Sequence, residues 1–162
     1  MQIIRNPLVK FEYNNNVSWR SSSQSLTNMS RVVVYPADTT QPGQLYNRLT
    51  LQASGRDGNG NDLQFIINFD VIDPAQLTGT YTNVYTNQRG LAQVQLYNLS
   101  NSSNLVAYSL CGGNVSQAIV QVQKQNTTER LVTGNFQMTL CNARDTANKI
   151  NIINGTFTDI RY

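Results

Sequence analysis

Apolar residues in this chain recur at every second position, in run after run. In RLTLQAS, Leu49, Leu51 and Ala53 alternate with Arg48, Thr50 and Gln52; in DLQFIINF, Leu63, Phe65, Ile67 and Phe69 share one side. LAQVQLYN places Ala92, Val94 and Leu96 on one side and Gln93, Gln95 and Tyr97 on the other. QAIVQVQK aligns Ala118, Val120 and Val122, and LVTGNFQMTLC aligns Val132, Phe136, Met138 and Leu140 with Gly134 in the same row. A period of two is the signature of half-buried strands with one wet face. Shorter segments of the same kind are LVKFEY, VSWR, RVVVY, TYTNVY, NLVAYSL and INIINGTFTDI.

Turn-rich segments separate these runs: NNN at 14–16, PADTTQPG at 36–43, SNSSN at 100–104, CGGN at 111–114 and QNTTE at 125–129. Strands at spacings near ten residues predict an all-β domain. The expectation is one antiparallel β-sandwich of about ten strands over residues 1–162, a closed lipocalin-like barrel being the alternative. DPAQL is the one helical hint, with Asp73 as cap and Pro74 in the first turn. VTGNF and INGTF share a Gly-x-Phe core, and apolar parity changes near Asn154–Gly155, which predicts a bulge in the last strand. Trp19 is expected to anchor the core.

The residue inventory excludes much chemistry. With no histidine, His-based triads, general bases and metal ligands are ruled out. Two cysteines without a Cys-x-x-Cys spacing make no zinc site. The nine acidic residues sit mostly in or beside turns, where Asp is favoured for backbone reasons, so a two-carboxylate hydrolase is not expected. The chain reads as a non-enzyme without a cofactor.

SGRDGNGND, residues 54–62, opens like a calcium loop, with Asp57, Asn59 and Asn61 at positions one, three and five. Position six is then Asp62 instead of Gly, and position twelve is Asn68 instead of Glu. A hairpin tip between Ser54 and Asp62 is the expected reading, with Asp57, Asn59, Asn61 and Asp62 kept as a weak metal set. Cys111 and Cys141 permit one disulfide, two packed thiols being the alternative. A bridge would close a loop of about 30 residues, stabilising by roughly 3–4 kcal/mol. Tyr46, Tyr81, Tyr85, Tyr97 and Tyr108 are candidates for a sugar-stacking or partner-binding patch, against ordinary strand packing.

Only 13% of the residues are charged, against about 25% in an average globular protein. Asn, Gln, Ser and Thr fill the gap, a composition common on exported proteins. The net charge of +3 comes from Arg and Lys scattered along the chain, so no nucleic-acid partner is expected. No apolar run is long enough for a transmembrane helix. MQIIRNPLVK has no signal-peptide anatomy, which leaves a cytosolic protein or one whose leader has been removed. Sequons stand at Asn16, Asn28, Asn98, Asn101, Asn114, Asn126 and Asn154, several by chance in so amide-rich a chain.

The last third, AIVQVQK, RLVTGNFQMTL and KINIINGTFTDIRY, resembles a family of small exported lipoproteins of unknown function from Bacteroidetes. The matching positions are Val120 and Val122, then Gly134 and Phe136, then Asn154, Gly155, Phe157 and Ile160. FEYNNNVSW, LTLQASGRDGNGNDLQFIINF and LTGTY are similar to that family's opening hairpin, strand–turn–strand and Gly-x-Tyr segments. The resemblance implies export, an outer-membrane, periplasmic or cell-surface location, and membrane attachment through a removed N-terminal lipid anchor. It implies no catalytic residue. The expected function is a non-enzymatic envelope binding or interaction module whose ligand is a glycan or an envelope protein. The alternatives are a lipocalin-like carrier of a small apolar ligand and a structural spacer or adhesin domain.

Overall fold

The computed structural model describes residues 5–36, 40–100, 106–112 and 116–162, with the backbone alone at residues 29 and 30. Two sequons, Asn101 and Asn114, and parts of three turn segments lie outside the described residues. The described residues form eleven strands: β1 (Leu8–Tyr13), β2 (Val17–Arg20), β3 (Ser23–Val34), β4 (Gln44–Arg56), β5 (Asp62–Val71), β6 (Gly79–Thr82), β7 (Arg89–Asn98), β8 (Val106–Leu110), β9 (Ala118–Asn126), β10 (Leu131–Asn142) and β11 (Lys149–Arg161). The described residues include no helix. At DPAQL the Asp73 carboxylate accepts the Ala75 N–H at 2.9 Å and its carbonyl accepts that of Gln76 at 3.0 Å. That is one capped turn, because Leu77 must leave it to reach the core.

Every pairing between the strands is antiparallel, in the order β2-β1-β11-β10-β8-β7-β5-β4-β3. The sheet curls into a half-barrel. It forks at β10, whose residues Leu131–Met138 pair with β9 while Leu140–Asn142 pair with β8. The Cys111–Cys141 disulfide, with Cα atoms 5.0 Å apart, closes that fork. The two ends of the path, β2 and β3, are consecutive in the chain, so curling brings them to one rim. There Trp19 pairs with Asp57 at the end of β4, and Ser22 N–H reaches the Ser54 carbonyl.

Alternation decides the core. Leu49, Leu51 and Ala53 on β4 and Leu63, Phe65, Ile67 and Phe69 on β5 are all buried. They meet Val120, Phe136, Phe157 and Ile160 in one hydrophobic cluster. Trp19, 2% exposed, stacks on Phe11 with centroids 4.7 Å apart. On β7 the inward residue is Leu91, not Ala92, because an extra residue opposite Asn68–Phe69 shifts the register. β11 bulges twice, at Asn154 and Asp159, both in left-handed backbone (φ 52° and 51°) that short polar side chains tolerate. Ile153 faces outward by alternation from Ile152, and the first bulge restores Gly155 and Phe157 to the core face. The two Gly-x-Phe copies then interlock: Gly134 pairs with Phe157 and Gly155 with Phe136. A Cβ on Gly134 would come within 2.4 Å of the Phe157 ring, and one on Gly155 within 2.4 Å of the Phe136 ring.

Candidate functional site

The glycine loop is a hairpin tip. β4 ends at Arg56, β5 starts at Asp62, and these two residues pair and form a 3.0 Å salt bridge. One carboxylate oxygen of Asp57 accepts the backbone N–H groups of Asn59 and Asn61, each at 2.8 Å. The other accepts the Tyr13 hydroxyl and the Asn61 side-chain amide. Burial pushes the Asp57 carboxyl up, but these donors outweigh it and hold the group below its ordinary range. The carboxylate therefore serves its own loop, and Asp62 faces Arg56. Among the described residues no three acidic or sulfur ligands converge as a metal site. Several sequon asparagines have comparable local work: Asn126 accepts the Thr128 and Glu129 N–H groups, and Asn154 donates to Glu12.

The five candidate tyrosines do not form one patch; only Tyr46 and Tyr85 meet. Tyr81 is fully buried, its hydroxyl donates to the Leu77 carbonyl at 2.6 Å, and burial raises it to about 12. Tyr108 lies opposite Leu96 and packs on the core, whereas Tyr97, opposite Ala107, points to the other face. Tyr46 and Tyr85 line an open cleft together. Alternation explains the separation, since neighbouring positions on a strand face opposite ways.

Tyr85 belongs to a different constellation, at the end of the β4–β5 hairpin remote from the glycine loop. Arg48 and Asp70 are cross-strand partners. Asp70 stands between Phe69 and Val71, both core residues, so its side chain points to the outer face, yet it has no solvent exposure. The cover is the β6–β7 connection, residues 83–88, which carries Tyr85 back over the sheet. Arg48 Nε and Nη2 donate to the two Asp70 oxygens, both at 2.8 Å, and the Tyr85 hydroxyl donates to Asp70 at 2.5 Å. Burial, then the adjacent Asp70 carboxylate, drive the Tyr85 hydroxyl far above its usual range. The Tyr85 ring lies against Gly90, where a Cβ would come within 2.5 Å of it. Tyr46 meets Tyr85 edge-on at 5.5 Å.

Two adjoining clefts flank this cluster and share Val34, Tyr35, Asn83 and Tyr85. The first, about 610 Å³, is also lined by Gln41, Gln44 and Tyr46. The second, about 480 Å³, reaches Arg48. Exposed apolar side chains line them: Tyr35 (72% exposed), Val33 and Val84. The sequence reading missed Tyr35 and the Arg48–Asp70 pair. An acid and a base at matching ends of two adjacent apolar runs were the available signal. No protein-family model matches the chain, and no curated protein or solved structure matches it.

Proposed function

We propose that this chain is a non-enzymatic binding module of the cell envelope or cell surface, and that its ligand, a glycan or an envelope protein, sits in the groove of Tyr35, Tyr46 and Tyr85. The observation that carries this reading is the concentration of exposed apolar side chains around a concave surface, over a fully buried, ion-paired carboxylate that holds its wall in place. Asp57 and Asp70, the two buried carboxylates among the described residues, are both saturated by protein donors, which favours binding over acid–base catalysis. The disulfide suits an oxidising compartment, and with the amide-rich composition it supports export and the lipoprotein resemblance. A glycan array and a pull-down from envelope extract test the reading, with Tyr35→Ala as the matched control. Silence in both assays, or capture indifferent to Tyr35→Ala, counts against it.

For the architecture we favour the sandwich over the closed barrel. Leu26, Leu49 and Leu51 of β3 and β4 face Val122, Val132 and Ile160 of β9 to β11 across an apolar void of about 20 Å³. That volume is near the minimum for a single water. It offers no room to the apolar ligand of a lipocalin-like carrier, so failure of an apolar fluorophore to bind is the expected outcome. Saturable fluorophore binding would revive the carrier.

A further inference from the structure

Resting on the binding-module reading, we infer that the groove selects an uncharged, hydroxyl-rich oligosaccharide, because tyrosine rings and side-chain amides line it while Arg48, the one cation among the described residues lining it, is already paired with Asp70. Among the described residues lining the first cleft none is charged; rings come from Tyr35, Tyr46 and Tyr85, and amides from Gln41 and Gln44. Glutamine offers both donors and an acceptor, which matches a hydroxyl that gives one hydrogen bond and accepts others. An aromatic ring supplies a rigid, amphipathic surface for the apolar C–H face of a pyranose at little entropic cost.

The same lining is poor for an anion. A carboxylate, sulfate or phosphate is recognised by charge-assisted, preferably bidentate bonds from arginine. Arg48 is the charged residue that reaches the second cleft, and its Nε and Nη2 already hold both Asp70 oxygens. Its field is cancelled within the pair, and an incoming anion would approach a fully buried carboxylate as well. Tyr85 is likewise committed, its proton directed at Asp70.

The geometry also bears on ligand length. The two clefts, about 610 and about 480 Å³, adjoin at Tyr35 and Tyr85, and each is of the size that holds a drug-sized molecule. A chain of several sugar rings fills such a groove, and a monosaccharide leaves most of it wet. A folded protein partner finds less here, because the surface is concave.

The test is calorimetric titration of the intact chain with maltoheptaose, cellohexaose, xylohexaose, mannohexaose and chitohexaose, set against polygalacturonate and heparin. At least one neutral oligosaccharide should bind, with an affinity unchanged between low salt and roughly 0.5 M salt. Tyr35→Ala, at a surface ring, should weaken it roughly tenfold, and Gln44→Ala should weaken it less. Leu99→Ala, outside the groove, should leave it unchanged. Salt-sensitive binding of the acidic polymers alone overturns the ligand class and leaves the binding module standing. Neutral binding indifferent to both Tyr35→Ala and Gln44→Ala overturns the site. If no glycan binds, the class falls, and the envelope pull-down decides the module separately: a protein captured by the wild type and lost with Tyr35→Ala keeps the module, and no capture removes that too.

Discussion

Asp57 and Asp70 sit at opposite ends of one β-hairpin, and superficially they are alike. Both are buried, and both accept a tyrosine hydroxyl, from Tyr13 and Tyr85 respectively. Their remaining partners differ. Apart from Tyr13 of β1, Asp57 takes two backbone N–H groups and the Asn61 amide, all within four residues of itself, so most of its work is at a turn. Asp70 takes the guanidinium of Arg48 from the neighbouring strand and Tyr85 from a connection that crosses the sheet, so it fixes three elements at the wall of a groove. The motif that looked like a site in the sequence is a local fold device. The site-building carboxylate was one aspartate inside an apolar run.

The largest effect should come from Asp70→Ala, which leaves Arg48 unpaired and the Tyr85 hydroxyl without its acceptor. Removing one partner of a buried pair costs about 3–5 kcal/mol, and because the Arg48 side chain keeps 29% exposure the lower end applies. Thermal unfolding should shift down by roughly 10 °C, with loss of groove binding. An unchanged melting temperature would show that the pair orders nothing. Gly55→Ala comes next. Its Cβ would stand 2.1 Å from the Arg20 carbonyl oxygen, a backbone atom at the rim where β2 crosses β4. Such overpacking costs about 1–3 kcal/mol, measurable by urea denaturation, while the remote groove keeps its affinity.

Asp57→Ala should cost about 1–2 kcal/mol, by stranding the N–H groups of Asn59 and Asn61 and the Tyr13 hydroxyl, again without touching the groove. Its pH dependence follows from the sign of the shift. The folded carboxyl is held below its ordinary 3.8, so the unfolded chain binds the proton first on acidification. The stability gap between wild type and Asp57→Ala is full above that ordinary value and closes as pH falls through the folded one. A gap independent of pH would mean the carboxylate form is not what the loop uses. Tyr13 and Tyr85 are shifted the opposite way, their hydroxyls raised far above 10.0 by burial and then by their carboxylates. The neutral hydroxyls therefore stabilise the fold fully below the ordinary tyrosine value, and that contribution fades as pH rises beyond it. In an absorbance titration these two should ionise only with unfolding. The Tyr13→Phe, Tyr85→Phe double variant should lose less stability between neutral and alkaline pH than the wild type.

The fold was legible wherever alternation was unbroken. Leu63 to Phe69, Ala118 to Val122 and Val132 to Leu140 fall on the core face as their period of two requires. It was least legible where pairing slips by one residue. The Ala92 bulge reversed an expected face, although the parity break at Asn154 was readable because Ile152 and Phe157, five residues apart, could not share a side without it. β3 begins at Ser23, eight residues before RVVVY, because a polar stretch pairs with β4 as an edge strand. The site was barely legible, for a physical reason. Tyr85 meets Asp70 only because Gly90 leaves space under its ring and the 83–88 connection doubles back, and neither fact is local in sequence.

The smallest expected effect on stability is the sharpest test of the contrast between the hairpin ends. Gly43, near the start of β4, mirrors Gly55 near its finish. A Cβ on Gly43 would also come close to other atoms, 2.5 Å from Val33 Cγ1 and 2.9 Å from the Tyr35 ring, but these are side-chain atoms. Val33 is 52% and Tyr35 72% exposed, so both can swing aside. Ala also narrows the unfolded ensemble by about 0.4–1 kcal/mol relative to Gly, which offsets the small steric cost. Gly43→Ala should therefore leave the melting temperature within about a degree of wild type while moving the Tyr35 ring and weakening groove binding severalfold. A loss of stability matching that of Gly55→Ala would mean that the groove end is as tightly built into the core as the glycine loop. Unchanged binding would mean that the seat of Tyr35 does not define the groove.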